Sequence, residues 1–143
     1  MSRNDGENAM ELVVLGSAGW IPQQERMTTS LALRVGDVLV VLDAGTGVAR
    51  LLEPGLRRLL PPPGSAVHVF LSHYHLDHTA GLTYLPVLWP GNPTTVYGPV
   101  PPGARPATYG ACLIRLLARR SSPTGSPASP WRWTCGRLLL ESR

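Results

Sequence analysis

The chain has 143 residues, 43% hydrophobic and 15% charged, with a formal charge of +4 and an isoelectric point near 9.7. That is one domain's worth of sequence, with apolar material for a single core. Cys112 and Cys135 lie far apart and outside any Cys-x-x-Cys pair, which argues against a disulfide framework or a zinc ribbon. No apolar run approaches the roughly 20 residues that a membrane-spanning helix needs. Met1 to Met10 is polar and lacks the apolar centre of a signal peptide, so a cytoplasmic protein is expected. All thirteen basic residues are arginine, and seven of them lie beyond Ala104 beside a single acid, Glu141. The net charge therefore says little about the first hundred residues.

Leu12 to Leu15 is a short apolar strand, followed by the turn Gly16-Ser17-Ala18-Gly19. That turn lacks the spacing and the lysine of a phosphate-binding loop. It serves either as a plain tight turn or as the lining of a pocket. Ile21 to Thr29 reads as an irregular loop. Ser30 to Val35 and Val38 to Asp43 are strand patterns joined by Gly36-Asp37, a hairpin signal. The second of these is continuously apolar, which predicts burial on both faces. Asp43 at its end is either a turn-capping residue or a carboxylate that orients a neighbouring ligand. Thr46 to Leu52 and Leu56 to Leu60 predict two helices, with Thr46 as N-cap of the first and Pro54-Gly55 between them. Pro61-Pro62-Pro63-Gly64-Ser65 is a stiff connector.

Val67 to Leu71 predicts a buried strand. A polar cluster follows it at once: Ser72-His73-Tyr74-His75-Leu76-Asp77-His78. Imidazole nitrogens and carboxylate oxygens are the donors that zinc and similar divalent ions prefer. His73 and His75, two residues apart, project to one side of extended backbone, and Asp77 and His78 come where the chain must turn. A single histidine at a strand end is ordinarily exposed or hydrogen-bonded in a core. Four donors within six residues point to two adjacent metal positions, one on His73 and His75 and one on Asp77 and His78. His68 alternates with Val67 and Val69 and reads as structural or exposed. Thr79 to Leu85 predicts a short helix ended by Pro86, and Thr94 to Tyr97 a further strand. Beyond Gly103 the composition changes. A basic helix is predicted over 108–120 and a Ser/Pro/Gly-rich linker over 121–130, followed by apolar islands at Trp131, Trp133 and Leu138 to Leu140.

His73-Tyr74-His75-Leu76-Asp77-His78 resembles the signature of the metallo-β-lactamase-fold hydrolases, most closely the ribonuclease Z-like and phosphodiesterase-like branch. Leu12 to Gly19, Arg34 to Gly47, Thr79 to Leu82 and Thr95 to Pro99 resemble flanking elements in the family's order. The resemblance covers roughly residues 11 to 102. It implies an α/β fold of the αβ/βα sandwich type, with 11–102 as its first half and 103–143 as an atypical, irregular basic tail. It implies up to two zinc ions, or other divalent metals, on His73, His75, Asp77 and His78. Asp77 would also act catalytically, and Asp43 would orient a ligand histidine. The implied reaction is hydrolysis of a phosphodiester or ester bond, in a small molecule or a nucleic acid, by a zinc-activated hydroxide.

In the resembled family a further histidine, a bridging aspartate and a final histidine come from later in the chain. Here the last histidine is His78 and the last aspartate is Asp77. Each metal would keep about two protein ligands, below the three usual for a catalytic zinc. The second expectation is therefore a non-catalytic, truncated remnant that binds metal weakly or needs a partner. Truncation, a shifted reading frame and an unusual gene end remain open as origins of the tail. An uncovered apolar sheet face would invite a homo-oligomer or a completing lobe. A third reading, an arginine-rich nucleic-acid binder, rests on the tail alone.

Overall fold

The computed structural model describes residues 10–99. The tail expected at 103–143, its basic helix and its linker lie outside the described residues. Five strands form one mixed sheet: β1 (Met10–Gly16), β2 (Ser30–Val35), β3 (Val38–Leu42), β4 (Val67–Phe70) and β5 (Thr94–Tyr97). Their order across the sheet is their order in the chain. β1 to β3 form an antiparallel meander, whereas β3, β4 and β5 are parallel. The two-residue turn at Gly36-Asp37 closes the second hairpin, with Gly36 at a φ of 54°. Parallel neighbours need crossover segments, and these carry the helical structure.

Alternation of side chains gives the sheet two unlike faces. On one, Ala32, Leu39, Val41, Val67 and Val69 are fully buried. Val48 and Leu51 from the first crossover cover them, with Leu82, Leu85, Leu88 and Trp89 from the second. On the other face Leu12 and Val14 are exposed, Leu31, Leu33, Val40 and Phe70 are half-buried, and Leu42 is exposed. The ring of Phe70 stacks on Tyr97 there at 4.5 Å, and His68 Nδ1 lies 3.2 Å from the Tyr97 hydroxyl. The continuously apolar β3 is thus buried on one face, not on both. The core-forming residues of the described helical segments pack on the same side, so Val38, Val40 and Leu42 meet no covering layer among the described residues.

The helical segments also differ from expectation. Thr46–Leu52 and Arg57–Leu59 are 3-10 helices, and the first is preceded by Gly45 with no side-chain cap. The N–H groups of Gly45 and Gly47 are taken by the carbonyls of Thr29 and Thr28, and that of Thr46 by the Thr28 hydroxyl at 2.7 Å, so the first N–H groups are met from the Thr28–Thr29 loop and not by a cap next to the helix. Thr46 Oγ1 instead accepts the Thr28 N–H at 3.0 Å. α1 (Leu76–Thr79) begins inside the motif and carries Asp77 and His78; a 3-10 turn (Ala80–Tyr84) and α2 (Leu85–Leu88) follow. Pro86 sits in the first turn of α2 instead of ending a helix, because its missing N–H would have been unsatisfied there anyway.

Leu39→Ala removes a fully buried side chain from the middle of the sheet. It is expected to lower unfolding free energy by about 2–5 kcal/mol in a denaturant titration. The uncovered face is expected to make the chain associate with rising concentration. Sedimentation should show this, and Leu12→Glu with Leu33→Glu should suppress it. A wild-type chain that stays monomeric throughout would contradict it.

Candidate metal centre

The three parallel strands run in one direction, and β1 shares it. Their carboxyl ends therefore open at one sheet edge, the usual place for a site on parallel strands. The Leu42–Phe70 register puts Asp43 beside the segment that begins at Leu71. Asp43 N–H donates to the Phe70 carbonyl at 2.8 Å, and Leu71 N–H to the Tyr97 carbonyl at 2.8 Å. Just past β3 the backbone of Asp43 turns left-handed, with φ at 55°. Aspartate tolerates that region better than most residues.

The turn aims the Asp43 carboxylate at the motif. Oδ1 accepts the Ser72 N–H at 2.7 Å. Oδ2 accepts the Ser72 hydroxyl at 2.8 Å and lies 2.9 Å from His78 Nδ1. A serine hydroxyl has one proton to give. With it given to Asp43, Ser72 Oγ accepts from His73 Nδ1 at 2.9 Å. Both histidines are thereby assigned the tautomer that leaves Nε2 as a lone pair.

His78 Nε2 lies 3.3 Å from Asp77 Oδ2. These are two acceptors facing each other, an arrangement satisfied by a proton or a cation between them. Asp77 is buried, and its other oxygen, Oδ1, has no hydrogen-bond partner among the described residues. The Trp20 N–H donates to Asp77 Oδ2 at 2.8 Å. That bond holds the Asp77 carboxyl below the usual carboxylate range against the opposing effect of burial, helped by its own backbone N–H, His78 and His75. His75 precedes α1, and its ring centroid is 4.6 Å from that of His73. The His73 and His78 centroids are 4.0 Å apart.

The four predicted ligands are therefore neighbours, and Asp43 touches one of them directly. His68 lies on the sheet face below Tyr97 and away from the cluster. Among the described residues no three of these donors already converge on a single cation position. Their chemistry, the facing acceptors and the orphaned carboxylate oxygen fit divalent metal ions held by pairs of ligands. Two contributors carried no clear sequence signal. Ser72 only marked a strand end, and Trp20 had nothing to single it out.

Two close approaches hold this arrangement. Ala44 N–H donates to the His78 carbonyl at 2.9 Å, and Gly81 N–H to the Ala44 carbonyl at 2.8 Å. A Cβ on Gly45 would fall on the Asp77 carbonyl, and one on Gly81 on the Gly45 carbonyl.

Residues 24–112 match the metallo-beta-lactamase superfamily model. The chain belongs to this superfamily. It is similar to ribonuclease Z of Pyrococcus furiosus, 35% identical over 95 residues that make up 63% of this chain and 29% of the relative. The chain thus spans less than a third of the length of that curated relative. Its fold is similar to the metallo-beta-lactamase fold protein YhfI of Bacillus subtilis, with a TM-score of 0.60 and 19% identity over 91% of this chain and 46% of that one. It is also similar to the short form of human tRNase Z, with a TM-score of 0.57 and 21% identity over 76% of this chain and 39% of that one.

Asp43→Asn keeps the side chain's size and removes its charge. Zinc affinity is expected to fall about 10- to 100-fold, as for other changes behind a ligand histidine. Calorimetric titration of zinc into both proteins measures it. Equal affinities would show that Asp43 supports the backbone alone.

Proposed function

We propose that this chain supplies one pair of ligands to each of two divalent ions, zinc above all, in a hydrolase that cleaves phosphodiester bonds. RNA is the substrate class suggested by the names of its ribonuclease Z and tRNase Z relatives. The observation that carries the reading is the facing pair of His78 Nε2 and Asp77 Oδ2, beside the buried, unpartnered Asp77 Oδ1. His73 and His75 would hold one ion, and Asp77 and His78 the other. Bound divalent ions supply a water of lowered pKa and neutralise charge that develops on the phosphate.

The chain's own groups set the conditions. Asp43 and Ser72 fix the ring orientation of His78 and His73. The Trp20 amide favours the ionised form of Asp77, and Asp77 would help to orient an attacking water.

A second reading is favoured by one observation. No three donors converge among the described residues, whereas a catalytic zinc usually has three protein ligands. In that reading the chain binds metal weakly, or becomes complete only with a second copy or a complementary lobe over its apolar face.

Zinc retained after dialysis separates the two, measured on wild type and on His73→Ala with His75→Ala. Near two ions in wild type, lost in the double variant, is expected for the hydrolase. It should come with phosphodiester cleavage that vanishes with chelator and returns with zinc. Zinc without cleavage, or no retained zinc, favours the second reading and withdraws the hydrolase for this chain alone.

A further inference from the structure

We infer that the indole of Trp20 is the stacking platform for a nucleobase next to the scissile phosphodiester, which makes Trp20 a specificity-determining residue. The inference rests on the phosphodiester reading above. Trp20 is 69% exposed, although it is the largest apolar side chain at this edge. Its neighbours Ile21, at 66%, and Leu76, at 71%, are exposed as well, so the rim beside His75 and Asp77 is apolar on the outside. The indole and the His75 ring are perpendicular at a centroid distance of 6.0 Å, so the two are not stacked face to face.

The backbone shows that this placement is held. Trp20 has a φ of 51°, a region that bulky residues rarely adopt. Glycine at position 19 has open space around it and would have accepted a left-handed turn without strain, yet the turn falls on the tryptophan. The Trp20 N–H is fixed on Asp77 Oδ2. Rotation about the adjoining N–Cα bond then decides where the indole goes, so the unusual φ and the anchored amide together set the ring beside the centre. Strained residues of this kind cluster where a ligand is clamped. A planar base on the nucleotide whose phosphate enters the centre fits such a ring, because every base has a π-face and stacking tolerates sequence.

The test uses the full chain in zinc, over times short against any cleavage. Binding of a labelled single-stranded RNA oligonucleotide is compared with that of an abasic oligonucleotide of equal length, by fluorescence anisotropy. Trp20→Ala is expected to weaken binding of the base-bearing strand about 5- to 150-fold. The abasic strand should bind as before, and Trp20→Phe should keep most of the affinity. The amide bond to Asp77 survives both substitutions, so a loss reports the ring. The inference is overturned if wild type binds neither strand, if it binds both equally, or if Trp20→Ala weakens both alike. A Trp20-dependent preference for bases without metal-dependent cleavage sinks the hydrolase reading and leaves the base site. Cleavage that is indifferent to Trp20 does the reverse.

Discussion

The site depends on one carboxylate. Asp43 stands where β3 ends; its two oxygens accept the amide and the hydroxyl of Ser72, and Oδ2 faces His78 Nδ1 at 2.9 Å. Those bonds join the ends of two parallel strands and fix two imidazole tautomers at once. A carboxylate at the end of an apolar strand is unfavourable unless its charge is answered. Here three donors answer it, all within the motif or immediately before it. Charge-assisted bonds of this kind are stronger than neutral ones. The anchor is consequently worth more to the geometry of the site than the surface pairs Arg34–Asp37 and Arg50–Glu53, which solvent screens.

Around that anchor the backbone is packed with almost no clearance. Ala44 and Gly45 are wedged between the Thr28–Thr29 loop and the start of the second crossover, with amides and carbonyls exchanged on both sides. Only a residue without a Cβ fits at Gly45 and Gly81. The same tight contact lets loop carbonyls take the first N–H groups after β3, and the chain there winds as a 3-10 helix. Chemistry and packing meet in one place: the segment that holds His78 is also the one against which Gly45 rests.

The strands were readable because apolar runs bounded by Gly-Asp, Pro-Gly and the polar motif left few alternatives. The crowding of three histidines and an aspartate into six residues was readable, and the structure keeps these side chains close together. Other features were not. The helices after β3 obey contacts with Thr28 and Thr29, which lie far away in sequence, so Thr46 looked like a cap and is not one. The continuous apolarity of β3 suggested two covering layers, and periodicity alone does not tell a covered face from a bare one. Ser72 and Trp20 act through backbone N–H groups, the hydroxyl and an unusual φ, none of which residue type announces.

The connections within the sheet are very unequal in length. β2 and β3 are joined by Gly36-Asp37, whereas β3 and β4 are joined through residues 43–66. Closing the longer loop costs on the order of 2 kcal/mol more in chain entropy, since that cost grows with the logarithm of loop length. The segment His73 to His78 hangs from the far side of this closure. Ordering this segment thus depends on one of the two long closures of the sheet. A cation that bridges ligands formed only in the folded chain returns its binding free energy to that step. If these residues hold a metal as proposed, its affinity and the docking of β4 onto β3 would be two sides of one equilibrium.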